Sequence, residues 1–393
     1  MQPSIHSTQP RSRRRYGLML QLALLILLGQ ILLLPVHAAD ATLTVAIPSF
    51  DTSNINAFQL NDLAQLPTGA DYISLTTNNP ENQSGSAFWK HMVSLANNRS
   101  FSTYFKISFP NPGGMSPGGA DGIVFAIQTV SNTAGGSGGG IGYDGLQPSV
   151  GIEFDTWQNT DSSVNDPDDN HVGFDVNGVM ESVFVAPSAS LPGTLQGNSW
   201  YVWIDYNGQT KNLQVRMHSS NNRTSSTLVM NQTYDIASVI GPDVFIGFTA
   251  GTGGAVEDHN VNAFYFCNDY NPIDTNATPP NNYTQAPFHI VASPSPATIA
   301  TGSTSNITAT VYNVSGAVMA NQPVTFTTNL GTLVTTSGTT NASGQVTVTL
   351  NSGFTGGTAT IRATTAAGVY GETSVVILAP TTYTFYIPMF IVP

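Results

Sequence analysis

Val150–Asn177 reads VGIEFDTWQNTDSSVNDPDDNHVGFDVN. Two alternating runs flank a polar insert. In the first, Val150, Ile152 and Phe154 alternate with Gly151, Glu153 and Asp155; in the second, Val172, Phe174 and Val176 alternate with Gly173, Asp175 and Asn177. Period two is the signature of a half-buried strand, so the stretch predicts one hairpin with an apolar face and a polar face. Glu153 and Asp155 share the polar face, about 7 Å apart at the rise of a strand. Carboxylates that close on a rigid strand repel each other unless a proton or a cation lies between them. The connection adds Asn159, Asp161, Asp166, Asp168, Asp169 and His171. Carboxylate, carboxamide and carbonyl oxygens suit Ca2+, and an imidazole joined to carboxylates suits a transition ion such as Mn2+. On the residues alone, two cations on one hairpin compete with a plainer reading, a solvated acidic turn built on Asp-Pro and Asn-Asp steps.

The composition around this hairpin is that of a β-rich chain with many turns. Of 393 residues, 9% are charged, with 37 Gly and 24 Pro, and that length suits about two domains. Arg11, Arg13, Arg14 and Arg15 precede an apolar run from Leu18 to Val36, and Val36-His37-Ala38 offers small residues for cleavage. Residues 1–38 are therefore expected to be a signal peptide, with an uncleaved anchor as the alternative. Without them the chain has 7 basic and 23 acidic residues, a net charge of −16. Such a surface repels a phosphate backbone, which excludes nucleic acid as a partner. The lone Cys267 cannot form an internal disulfide, so sheet packing and bound metal must stabilise the exported chain. Cys267 reads as a buried apolar filler.

Other strands are legible by the same alternation. Phe101–Phe109 alternates except at Tyr104, and further strands are expected at Ile123–Gln128, Ser182–Val185, Trp200–Tyr206, Leu213–His218 and Val244–Ala250. Ala41 to Pro80 gives only weak signals. Between two good strands lies Gly135-Gly136-Ser137-Gly138-Gly139-Gly140-Ile141-Gly142-Tyr143. Glycine runs usually serve as flexible linkers, yet here bare backbone N–H groups can approach a ligand. No Lys or helix start follows, so this is not a phosphate loop.

Several motifs carry a resemblance. Glu153-x-Asp155-x-Trp157-x-Asn159, then Asp166-Pro167 and His171-Val172-Gly173, resembles the metal-binding segment of legume lectins and their bacterial L-type relatives. GSAFW at Gly85–Trp89, Ala120-Asp121-Gly122, and the order GFTA, variable loop, His259-Asn260-Val261 resemble the same family. The resemblance covers about residues 42–270. It implies an all-β, concanavalin A-like jelly-roll sandwich that binds glycans and is not an enzyme. It implies that Glu153, Asp155, Asp166 and His171 hold Mn2+ or another divalent transition ion. Asp155, the Trp157 carbonyl, Asn159 and Asp166 would hold Ca2+. The interval from Asn159 to Asp166 is long for the family, which leaves Asp161 as a competitor for the role of Asp166. It further implies a sugar site of Asp121, Gly139, Asn159 and Trp157, rimmed by Gly254 and Ala255, with a cis Ala120–Asp121 peptide. The chemistry suits a sugar: a charged acceptor, an amide, a backbone donor and a flat aromatic meet hydroxyls and a C–H face. Trp157 also reads as a core aromatic, and His259 as a structural residue rather than a ligand.

Asn271–Pro287 is rich in Pro and Asn and reads as a linker. Beyond it, Ile307, Ala309 and Val311, then Val324 and Phe326, then Val346, Val348 and Leu350 alternate in Thr-rich strands separated by turns bearing Gly and Asn. This argues for an Ig-like sandwich and resembles the bacterial Ig-like repeats of invasin and intimin. After His289 it has no His and a single acid, Glu372, so it offers no site chemistry and reads as a spacer or anchor. The expected organisation is a signal peptide over 1–38, the lectin-like domain over 39–270, a linker over 271–288, the Ig-like domain over 289–379 and an apolar tail over 380–393. The chain is expected to be secreted or cell-surface attached, with glycans as partners and a homodimer compatible with the family. Two rival functions stand. A glycoside hydrolase on the same fold would need a second Glu where Gln158 stands, and an amide cannot transfer the proton. A non-binding structural surface protein would not need the ligand residues that are present.

Overall fold

A computed structural model describes residues 43–133, 138–275 and 286–380. The expected signal peptide, Gly135–Ser137 of the glycine-rich loop, residues 276–285 and the tail beyond Pro380 lie outside the described residues. Among the described residues the helical segments are three-residue 3-10 turns, and no helix is long and apolar enough to cross a membrane.

The first domain is the expected jelly-roll sandwich. Its eight-stranded sheet runs in the order Val179–Ala186, His171–Val176, Ser149–Asp155, Gly122–Gln128, Asp243–Gly251, Ser84–Trp89 and Phe58–Asp62, with Val93–Ser94 added beside the Asp243 end. The facing sheet has seven strands, in the order Leu43–Ile47, His259–Cys267, Phe101–Ser108, Ser199–Asn207, Asn212–His218 and Thr227–Thr233, with Ile73–Thr76 beside the His259 end. Alternation sends one side of each strand inward. Val150, Ile152, Phe154, Val172 and Phe174 join the core between the sheets. At its centre Phe105, Phe125, Phe154, Phe248 and Phe264 touch with ring centroids 5.0–6.1 Å apart. Each such ring, fully buried, contributes about 1.5–3 kcal/mol of apolar transfer.

The half-buried expectation fails for the central hairpin. Every residue of Ser149–Asp155 is buried, because loops cover the outer face of the sheet as well. Ile141 and Tyr143, at the end of the glycine-rich loop, pack with Phe88, Val124, Ala126 and Met180 into a small second core on that face. Tyr104, the exception in its strand, has the same explanation on the other sheet. It lies on the outer face with Trp203 and Tyr265, under the buried Ile273. The weak Ala41–Pro80 region holds the strands Leu43–Ile47, Phe58–Asp62 and Ile73–Thr76. They are short and sit toward the sheet margins, where few residues are needed to carry the pattern.

The second domain is a sandwich of a four-stranded and a five-stranded sheet. Ile307, Ala309, Val311, Val324, Phe326, Val348 and Leu350 lie in its core on the alternating positions read from the sequence, and Ile361 joins them. Its first strand, Pro287–Ser295, takes up the last residues of the stretch read as a connection.

Candidate metal centre and sugar-binding notch

The two strands of the acidic hairpin pair antiparallel, placing His171 opposite Asp155, Gly173 opposite Glu153 and Val172 opposite Phe154. Glu153, Asp155 and His171 therefore converge on one face, with a ligand atom of each within 4.8 Å of the others. His171 Nε2 stands 3.3 Å from Glu153 Oε1 and 3.6 Å from Asp166 Oδ1. His171 Nδ1 is 3.0 Å from the Asp168 carbonyl, which orients the ring so that Nε2 faces the acids. Gly173 makes this possible: a β-carbon there would lie 2.2 Å from Glu153 Oε1 and 1.9 Å from Ser182 Oγ.

Asp166 and Asp161 separate cleanly. Asp166 Oδ2 accepts the Asn159 N–H at 2.6 Å, and the Asp166 N–H donates to the Asn159 carbonyl at 3.0 Å. This two-way clasp closes the loop and turns Asp166 toward the cluster. Asp161 is exposed and caps its own turn by accepting from Ser163 N at 3.1 Å.

Among the described residues no Lys or Arg pairs with this cluster, and the acids respond. Burial, then the neighbouring Glu153 and Asp166 charges, push Asp155 well above the usual carboxylate range. Burial pushes Asp166 up to about 6 against hydrogen bonding from Asn159 and the His171 charge. Burial would lower His171, but Glu153 and Asp166 outweigh it and raise it. Glu153 Oε2, Asp155 Oδ2 and Asn159 Oδ1 are buried without a hydrogen-bond partner. Buried orphan oxygens of this kind are costly unless a proton or a cation satisfies them. The donor set, carboxylates with one carboxamide and one imidazole, fits divalent cations.

Three loops meet beside this cluster. Asp121 N–H donates to the Gly251 carbonyl at 2.9 Å, and the Asp121 carbonyl accepts from Thr156 N at 2.9 Å and Thr156 Oγ1 at 3.2 Å. The Ala120–Asp121 peptide is cis. The Asp121 side chain is 3% exposed, with Oδ2 unpartnered. Burial and the nearby Glu257 charge raise it to about 7, against a hydrogen bond from the Gly253 backbone. Gly139 backs directly onto Asn159: a β-carbon there would lie 2.9 Å from the Asn159 amide nitrogen. Gly138 N–H donates to the Thr252 carbonyl at 3.1 Å, tying the glycine-rich loop to the one after Gly251. Trp157 is half-buried at the mouth, its N–H on Asp155 Oδ1 at 2.6 Å.

Gly253, Gly254 and Ala255 take three different positions after Gly251. The residue beside Asp121 Oδ2 is Gly253, whose β-carbon position is 3.5 Å away. Gly254 borders Met115, accepting its N–H at 2.8 Å, and Met115 is 55% exposed at the edge. Ala255 is buried in a short ribbon opposite Gly114. Asp175 and Ser182, read from the sequence only as strand positions, also join the cluster. Asp175 lies on the acidic face by the same alternation as Glu153, and Ser182 Oγ donates to both, at 2.6 and 2.8 Å. His259 is fully buried, with Nδ1 2.6 Å from Thr76 Oγ1. Gln158 is exposed and donates to the Asp166 and Pro167 carbonyls at 3.3 Å.

Residues 42–282 match the legume lectin domain family, and residues 289–378 match the bacterial Ig-like domain (group 1) family. An L-type lectin-domain containing receptor kinase, VIII.1, of Arabidopsis thaliana is 29% identical over 230 residues, covering 56% of this chain and 32% of the kinase. Lectin DB58 of Vigna unguiculata subsp. cylindrica is 32% identical over 169 residues, covering 41% of this chain and 58% of that lectin. The chain thus spans about a third of the length of the receptor kinase. Among solved structures, basic winged bean lectin with Tn-antigen shares 28% identity, with 56% of this chain and 95% of that one covered at a TM-score of 0.47. Peanut lectin with a 9mer peptide shares 28% identity, with 56% and 94% covered at a TM-score of 0.46. The part of each relative that this chain matches is a lectin or a lectin domain. With more than half of its residues matched, the chain belongs to the legume lectin domain family, followed by a bacterial Ig-like domain.

Proposed function

We propose that this protein is a secreted or surface-displayed lectin that binds glycans in the notch around Asp121 without altering them. Glu153, Asp155, Asp166 and His171 would hold a transition ion such as Mn2+. Asp155, the Trp157 carbonyl, Asn159 and Asp166 would hold Ca2+. The observation that carries this reading is the set of buried, unpartnered oxygens on Glu153, Asp155 and Asn159, together with an unpartnered carboxylate oxygen on Asp121, whose neighbour Gly122 pairs with Asp155. The cations neutralise the hairpin and hold the Trp157–Asp166 loop, whose Asn159 abuts Gly139. Asp121 accepts from sugar hydroxyls, while Asn159 and a Gly139 N–H donate. Trp157 packs on the ring, with Gly254 and Ala255 contributing to the rim. The Ig-like domain sets the notch away from the point of attachment. Binding to a glycan array in Ca2+ and Mn2+, repeated after EDTA and after re-addition of the ions, tests this. Binding lost on chelation and regained with metal is expected; binding indifferent to EDTA overturns the metal-organised site.

A further inference from the structure

The lectin and Ig-like domains meet through contacts of three different kinds. The Thr365–Tyr370 turn of the Ig-like domain reaches the edge of the eight-stranded sheet. There Val369 bridges antiparallel to Val93, and Ser94 N–H donates to the Gly368 carbonyl at 2.8 Å. Within the lectin domain Asn268 Nδ2 donates to the Ser94 carbonyl at 3.2 Å, and across the joint Thr44 Oγ1 donates to the Ala367 carbonyl. Ala367 and Val369 are completely buried. Gly368 fits this approach because it has no side chain: a β-carbon would lie 2.5 Å from the Ser94 carbonyl oxygen and 2.6 Å from Asn268 Nδ2.

Charge and aromatic contacts flank this ribbon. Arg362 Nη1 donates to both oxygens of Asp243, at 2.8 and 2.7 Å, and its Nε donates to Glu372 at 2.8 Å. The same guanidinium lies 4.0 Å over the Tyr370 ring, which holds the fork flat. On the other flank Phe288 meets Trp89 edge-on at 5.1 Å and packs against the main lectin core. His91 sits 4.8 Å from Phe288, and His289 stacks on Tyr312 at 4.7 Å.

We infer that the Ig-like domain is docked onto the lectin domain as a fixed brace, its hairpin tip serving as an added strand segment of the lectin sheet. A tethered spacer would leave the Val93–Ser94 edge and Asp243 in water. Here edge pairing, a two-oxygen ion pair and an apolar plug act at one joint, and the Tyr370 ring under Arg362 holds the ion pair in place. Strand addition of this kind gains affinity from main-chain hydrogen bonds and specificity from the flanking pockets. The strand that starts at Asp243 ends at Gly251, whose carbonyl takes the Asp121 N–H. The direction of the proposed notch is thereby fixed with respect to the Ig-like domain. This inference does not depend on the sugar reading.

The test uses the full chain with exposed Gln209→Cys and Ser343→Cys substitutions carrying spin labels, while Cys267 is buried and unreactive. A single narrow distance distribution and one melting transition are expected. A broad distribution, or two independent transitions in the otherwise unaltered chain, overturns the brace. Asp243→Lys opposes the Arg362 charge at the sheet edge, away from Glu153, Asp155 and Asp121. It is expected to broaden the distribution and split the melt while divalent-cation binding, read by calorimetry, keeps its affinity. If Asp243→Lys leaves both the distribution and the single melt unchanged, the Arg362 pair is not what locks the joint. Cation affinity falling in parallel would mean that the substitution had unfolded the lectin domain. Gly368→Val, which acts from the Ig-like side, then decides: a narrow distribution surviving that wedge overturns the docking.

Discussion

Gly173 stands opposite Glu153 across the acidic hairpin, and a β-carbon at 173 would lie 2.2 Å from Glu153 Oε1. The absence of a side chain at one position thus creates the space for a carboxylate at the other. Gly173→Ala forces Glu153 and Ser182 aside in a site where both are buried or half-buried. Overpacking of this size costs about 1–3 kcal/mol. Displacing a ligand or its supporting group lowers metal affinity about 10- to 100-fold. Titration calorimetry with Mn2+ and Ca2+ checks this; unchanged affinity for both would show that Glu153 does not act on the ions.

Metal-free protein is expected to lose stability as pH rises from about 4 to about 7. Asp121 and Asp166 are raised to about 7 and about 6, and Asp155 and Asp175 are raised well above the usual range. A raised acid holds its proton in the folded state at pH values where the unfolded chain, with carboxylates near about 4, has released it. That contribution is full at low pH and disappears as pH climbs through the folded values. His171, also raised, acts in the same direction. Bound cations favour the ionised forms, so adding Ca2+ and Mn2+ should flatten or reverse the trend. Melting temperatures between pH 4 and 8, with and without EDTA, report both effects.

Asp121→Asn preserves the shape of a side chain that is almost fully buried and removes its charge. A hydrogen bond to a charged acceptor contributes about 1.5–3 kcal/mol, so glycan affinity should fall tenfold or more. The metal-free melting temperature should rise at pH 8, because an ionised carboxylate disfavoured by burial and by Glu257 is gone. Loss of binding together with a lower melting temperature would point to a collapsed loop rather than a missing acceptor.

The joint between the domains should weaken in acid. Burial lowers His91, with smaller contributions from His289 and Lys90, and burial lowers His289. For a histidine lowered on folding, the unfolded or undocked form takes up the proton first, near about 6.5. The stabilisation is therefore full above that value and is lost as pH falls below it. The interdomain distance distribution should broaden between pH 6.5 and 5, and a His91→Phe/His289→Phe double variant should keep it narrow.

Much of the fold was legible because alternation survives burial. Val150, Ile152, Phe154 and Val172 turn inward as their spacing demands, and the acids turn outward. What alternation does not encode is a second cover on the outward face. The packing of Ile141 and Tyr143 over that face arises from loop closure, and it converts a half-wet strand into a dry one. At the site, Glu153, Asp155 and His171 were readable from register. The preference for Asp166 over Asp161 was not, since it rests on the two backbone–side-chain contacts with Asn159. Gly253 was hidden within a run of small residues, and only the path of the loop brings it to Asp121. Asp175 stood in the same alternation, but nothing in the sequence signals that Ser182 would join it to Glu153.

Cys267 ends its strand without any exposure, and burial pushes its thiol up to about 12. A sulfur so shielded and so reluctant to ionise offers no handle to oxidants, to thiol exchange or to alkylating reagents. The lectin should consequently be redox-indifferent. It reaches its native state with no oxidative step, and strong reductant should leave its melting temperature where it was.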